Sequence, residues 1–96
     1  MSSDATKRFG ERLLAIYTGA VLTKLIEIGY QVGLFEGSRA GPATSAELAD
    51  RLRLKERYVR EWLGAMVTSG VVSIDAQGLR YHLPPEHAAY LTRARP

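Results

Sequence analysis

From Lys7 to Ile28 the chain follows one uninterrupted helical pattern that is apolar on two sides. At 100° per residue, Phe9, Leu13, Leu14, Ile16, Tyr17, Ala20, Val21, Leu25 and Ile28 share one half of the cylinder. This stripe is wider than the ~100° that a surface helix needs. Ala15, Leu22 and Ile26 form a second strip on the other side. A helix apolar on two sides requires two neighbours. One is its own domain; the other is a partner chain or a second domain, and Ala15, Leu22 and Ile26 are the expected interface with a second copy.

The rest of the chain reads as short elements. Residues 1–6 are small and polar and are expected to form a disordered N-terminus. Gly29-Tyr30 reads as the end of the long helix, with Gly29 as its stop. Gln31 to Glu36 reads as one helical turn, and Gly37 to Ala43 as a loop with Gly and Pro as breakers. Thr44, followed by Glu47 three residues on and then by Leu48-Ala49, is a capping box. It starts a short helix, about Ser45 to Leu52. A turn through Arg53-Leu54 leads to a helix of about Lys55 to Ser69, stopped by Gly70. Two short helices joined by a tight turn are a helix-turn-helix. Val71 to Ile74 and Leu79 to Leu83 read as strands around an Asp75-Ala76-Gln77-Gly78 turn, a hairpin wing. Glu86 to Thr92 reads as a last helix, with Pro85 in its first turn. The fold class is mostly α with a small β-hairpin: a winged helix-turn-helix preceded by a long N-terminal helix, with the domain over 7–92 and a tail or linker start over 93–96.

A chain of 96 residues makes one domain, and a chain of this size buries roughly two-thirds of its unfolded surface. Its net charge of +3 is compatible with nucleic acid without pointing to it. Cysteine is absent, which removes disulfides, a thiolate nucleophile and cysteine-based zinc sites. The longest uncharged run, Leu13 to Thr23, is shorter than the ~20 residues of a membrane span. Lys24 and Glu27 follow it at once, and no small-residue cleavage site closes it. A soluble, cytoplasmic protein with no membrane partner is expected.

Candidate chemistry is sparse. Arg51, Arg53, Lys55, Arg57 and Arg60 gather at the helix-turn-helix, with Arg80 in the wing, where this motif contacts DNA. Against that, Glu56 precedes Arg60 by four residues and Arg57 precedes Glu61 by four, pairs that neutralise the face. Asp75 at the wing tip would repel backbone phosphates. Tyr58 and Trp62 lie one turn apart; Trp62 falls on the apolar side and is expected in the core. His82 and His87 flank Pro84-Pro85 with no zinc spacing and no nucleophile nearby, and are expected at the surface. No catalytic, cofactor-binding or metal-binding residue is assigned.

In order along the chain stand Gly29-Tyr30 to Gly33-Leu34-Phe35, Gly41-Pro42-Ala43-Thr44, Glu56 to Leu63, Gly70-Val71-Val72 and Tyr81-His82-Leu83-Pro84-Pro85-Glu86-His87. This set resembles the N-terminal winged-helix dimerisation domain of class I S-adenosylmethionine-dependent methyltransferases, a group often labelled transcriptional regulators. The resemblance covers roughly Phe9 to Thr92. It implies a non-catalytic module that dimerises and covers the substrate side of a separate catalytic domain, which would bind the S-adenosylmethionine. That domain opens with a Gly-rich loop after a strand. This sequence has nine glycines and no Gly-x-Gly pair, so the chain by itself is expected to be no enzyme. The alternative is a small DNA-binding transcriptional regulator acting through Arg51, Arg53, Lys55, Arg57, Arg60 and Arg80.

Overall fold

The computed structural model describes residues 3–93. Helix α1 spans Ser3–Gln31, α2 Leu34–Gly37, α3 Ser45–Leu52, α4 Glu56–Thr68 and α5 Pro85–Leu91. Strands β1 (Ser73–Ile74) and β2 (Tyr81–His82) pair antiparallel, Ser73 opposite His82 and Ile74 opposite Tyr81. A 3₁₀ turn over Ser38–Ala40 fills part of the stretch read as loop. The winged helix-turn-helix behind a long helix is therefore the observed architecture.

Local chemistry explains most boundaries. The Thr44 hydroxyl accepts the Glu47 N–H at 3.1 Å, and the Glu47 carboxylate accepts the Thr44 N–H at 2.9 Å, so the capping box closes both ways. Arg53 ends α3 in the left-handed region at φ 56°, and the Leu54 N–H reaches back to the Ala49 carbonyl at 2.9 Å. The tight helix-turn-helix turn thus rests on a non-glycine residue in a glycine conformation. At the wing, the Asp75 carboxylate accepts the Leu79 N–H at 3.0 Å and ties the turn to itself. The strands are shorter than the sequence suggests. Ala43 supplies a third rung, exchanging both backbone hydrogen bonds with Tyr81 at 3.0 and 2.8 Å.

The long helix departs from expectation at both ends. It begins at Ser3, with Asp4 in its first turn favouring the positive end of the helix dipole. Residues 3–6 are therefore helical where a disordered N-terminus was expected; Met1 and Ser2 lie outside the described residues, as do 94–96 of the expected tail. At the other end the helix runs through Gly29 to Gln31. Gly29 is no stop. It is buried, and a Cβ there would overlap the Trp62 ring and stand 3.0 Å from Phe35 Cε2. The left-handed residue that breaks the chain is Gly33, at φ 85°.

The core is built by Leu34, Phe35, Leu48, Ala49, Val59, Trp62, Leu63, Met66, Val72 and Leu83. The Phe35 and Trp62 rings meet edge-to-face, centroids 4.9 Å apart. The Trp62 indole N–H donates to the Leu25 carbonyl at 2.9 Å. Gly29, Trp62 and this hydrogen bond together fix α1 across the body. The molecule measures 54 × 33 × 23 Å. Its radius of gyration is 15.8 Å, against about 12–13 Å for a compact domain of this length. The excess is the N-terminal half of α1, which projects from the body.

Candidate functional site: the outer face of the long helix

Helix α1 changes sides along its length. In its C-terminal half Leu22, Leu25, Ile26 and Tyr30 pack against the core, with Lys24 and Glu27 turned outward and 3.8 Å apart. In its N-terminal half the apolar residues lie on roughly the opposite side of the cylinder. Phe9, Leu14, Ile16, Tyr17 and Val21 are each 56–66% exposed. The charges Asp4, Lys7, Arg8, Glu11 and Arg12 occupy the arc that continues the core-facing side.

Leu22 and Ile26 contact the protein's own core, because the domain sits on their side of α1, and Ala15 is exposed on the charged side of the N-terminal half. The exposed surface is the N-terminal part of the wide stripe, Phe9, Leu14, Ile16, Tyr17 and Val21, while Leu25 of the same stripe packs against the core. A single wheel over the whole helix superimposes two faces that belong to different halves. The charged residues carry the missing signal: they sit on one side before Leu13 and on the other after Leu22.

Between α1 and α4 lies an open apolar groove of about 540 Å³. Tyr17, Val21, Leu22 and Leu25 form one wall, and Gly64, Ala65 and Thr68 the other. Nothing stands within 4 Å of where a Gly64 Cβ would be. By length and composition α1 also contains a stretch long and apolar enough to cross a membrane. Its C-terminal half is engaged with the body through Trp62 and the core residues, however.

The basic cluster is exposed throughout and mostly occupied. Arg57 lies 3.4 Å from Glu61, Arg60 3.8 Å from Glu56, and Arg80 3.3 Å from Glu47. Arg51 donates to the Gly37 carbonyl at 3.0 Å, and the Lys55 ammonium stands 6.0 Å from the Tyr58 ring. Exposed pairs of this kind contribute only tenths of a kcal/mol, but they lower the positive charge of the face. The Glu47 carboxyl is held below the usual carboxylate range, first by the Thr44 N–H and hydroxyl and then by Arg80 and Arg51. The Leu79 N–H does the same for Asp75, which keeps the wing tip negative. Trp62 is in the core, as expected. Tyr58 is exposed at the edge of α4. His82 is exposed, whereas His87 is half-buried, its Nδ1 2.8 Å from the Val71 carbonyl, so it pins α5 to the segment before the wing.

Residues 3–93 do not fit an S-adenosylmethionine site. Their sheet is one two-stranded antiparallel hairpin, and no strand among them leads through a glycine pair into a helix.

The chain is 34% identical over 79 residues to the N,N-dimethyltransferase OxyT of Streptomyces rimosus, a match covering 82% of this chain and 22% of OxyT. Among solved structures it superposes on PigF with SAH at TM-score 0.78 and 28% identity, covering 90% of this chain and 28% of PigF. It superposes on the mitomycin 7-O-methyltransferase MmcR at TM-score 0.82 and 23% identity, covering 94% and 26%. The chain thus spans about a quarter of the length of the methyltransferases it matches, and what it matches in them is their winged-helix domain. Residues 20–93 match the family described as the Rv2258c-like winged HTH domain, and the chain belongs to that family.

Proposed function

We propose that this chain is the non-catalytic winged-helix module of an S-adenosylmethionine-dependent methyltransferase. In this reading it pairs two copies through α1 and covers the substrate side of a catalytic domain that these 96 residues do not contain. The observation that carries it is the outer stripe of α1: five large apolar side chains in a row, exposed on a helix that projects from its domain. Such a surface exceeds the scattered apolar residues of an ordinary monomer and marks an interaction site. The similarity to part of OxyT, PigF and MmcR supplies the context. The chain by itself methylates nothing in this reading, and the parent protein works in the cytoplasm. The test is the intact mass of the protein in its source cell. A species larger than 10.6 kDa by a domain of roughly 100–200 residues supports the reading; a species at that mass removes it.

A DNA-binding regulator is the second reading, favoured by the exposed arginines of the helix-turn-helix. It requires salt-dependent duplex binding that weakens when Arg57 and Arg60 become Ala. The ion pairs to Glu56, Glu61 and Glu47 and the negative wing tip weigh against it.

A further inference from the structure

We infer that the recess where the end of α1 meets the start of α4 binds a small apolar carboxylate, a single ring or short hydrocarbon chain carrying one acid group. The cavity holds about 200 Å³. Its floor is core: Leu34, Val59 and Trp62 are at most 7% exposed. Its rim is open: Ile28, Val32 and Tyr58 line the same space and are 40–62% exposed. Binding here depends neither on the pairing of copies nor on a catalytic domain, so it stands or fails separately from the reading above.

Size sets the body of the ligand. An apolar cavity of about 150 Å³ takes up a benzene molecule, so this one takes a ring with a short tail. Tyr58 and Trp62 stand one turn apart on α4 and offer it two ring surfaces. Charge sets the head. Lys55 lines the recess, its Nζ 6.0 Å from the Tyr58 ring centroid. Arg57, Arg60 and Arg80 each meet a carboxylate, and Arg51 a carbonyl. Lys55 makes no ion pair among the described residues. Its neighbour Glu56 is engaged toward α3, where its carboxylate accepts the Ser45 hydroxyl and lies 3.8 Å from Arg60. A carboxylate at the mouth therefore meets a cation with no acid competing for it, whereas a cationic ligand would be repelled.

Other recesses do not combine these features. The groove of about 540 Å³ between α1 and α4 is larger, but its polar groups are hydroxyls and it carries no charge. The recess beside Glu36 and Arg93 is charged, yet the Glu36 carboxylate already accepts from Arg39 at 2.8 Å and from the Arg93 N–H at 3.1 Å. The hollow of Ala5, Arg8, Phe9 and Arg12 has two cations but only one helix for its wall. A buried apolar floor, ring walls and an unpaired cation coincide at Lys55.

Trp62 is the single tryptophan of the chain and lies in the wall, so its fluorescence reports occupancy. The probe is hydrocinnamate, and the control is its neutral amide, which has the same ring and tail. For a ligand of about eleven non-hydrogen atoms, saturable change with a midpoint at roughly 0.1–1 mM is expected. The acid is expected to bind about three- to fivefold more tightly than the amide, the scale of a partly exposed ion pair. Lys55→Met, at an exposed position, is expected to erase that difference by weakening the acid and leaving the amide as it was. Tyr58→Ala, also exposed, is expected to weaken both. Fluorescence of the wild type that shows no saturation up to about 10 mM of either compound overturns the site. Equal affinity of the wild type for acid and amide overturns the assignment of a carboxylate to Lys55, and that comparison needs no variant to fold.

Discussion

Leu22, Leu25, Ile26 and Tyr30 of α1 lie against the core, whereas Phe9, Leu14, Ile16 and Tyr17, earlier on the same helix, lie in water. Both sets obey the same 3.6-residue period, and both have charged residues opposite them. They differ in where the domain is. The C-terminal half is claimed by Trp62, whose ring fills the space that Gly29 leaves and whose N–H takes the Leu25 carbonyl. In the N-terminal half Phe9, Leu14, Ile16 and Tyr17 stay exposed, and none of them is among the residues packed against the core. Amphipathic period alone shows that a helix has a buried side; it does not show what buries it. That is decided by a single close contact elsewhere in the chain.

Substitutions can break this contrast or sharpen it. The largest effect is expected from Trp62→Ala, which removes the clamp on the C-terminal half and should lower folding stability by about 3–5 kcal/mol in denaturant unfolding. Next comes a matched pair. Ile26→Asp places a charge against the core and should lower stability by about 2–4 kcal/mol. Val21→Asp, less than two turns away, should leave the stability of dilute protein within about 0.5 kcal/mol and weaken self-association in sedimentation. Equal damage from both would mean that the outer stripe is packed within the chain after all. Gly29→Ala is the third test. Alanine is the better helix former by about 1 kcal/mol, yet its methyl would overlap Trp62, so a net loss of about 1–3 kcal/mol is expected on thermal unfolding.

The smallest effect belongs to α3, whose start is fixed by local chemistry rather than by packing. Thr44→Ala should lower stability by about 1 kcal/mol. The Glu47 carboxyl is held below its ordinary range in the folded chain, so its contribution is present above that range and is lost as pH falls through the lowered value. The difference between Glu47→Ala and wild type should therefore narrow in acid, measured by denaturant midpoints across pH.

The legible parts of this fold were the local ones. Thr44 and Glu47 marked the start of α3, the Asp75 to Gly78 turn marked the wing, and the apolar spacing of Val59, Trp62, Leu63 and Met66 marked the buried side of α4. These signals lie within a few residues of what they determine. The role of Gly29 was not legible, because a glycine near a helix end reads as a stop unless the Trp62 ring, 33 positions later in the chain, is known to lie against it. The interface side of α1 was hidden for the same reason. Leu22 and Ile26 are expected at a partner from the wheel alone, and their contacts with the core are visible only in the fold. The outer stripe is apolar as its spacing predicts, but the spacing does not show that Leu25 packs against the core while Phe9, Leu14, Ile16, Tyr17 and Val21 are exposed. The basic cluster shows the converse: its pairing with Glu56 and Glu61 followed from i, i+4 spacing, while the Arg80 to Glu47 contact joins wing and α3 across the fold and had no sequence signal.

The central claim is that the N-terminal half of α1 is buried only between molecules. Amide hydrogen exchange along α1, measured at two protein concentrations, tests it most directly. The account predicts that protection over Phe9 to Tyr17 rises with concentration, while protection over Leu25 to Tyr30 stays constant at the level of the core. Protection over Phe9 to Tyr17 that does not change with concentration would contradict it.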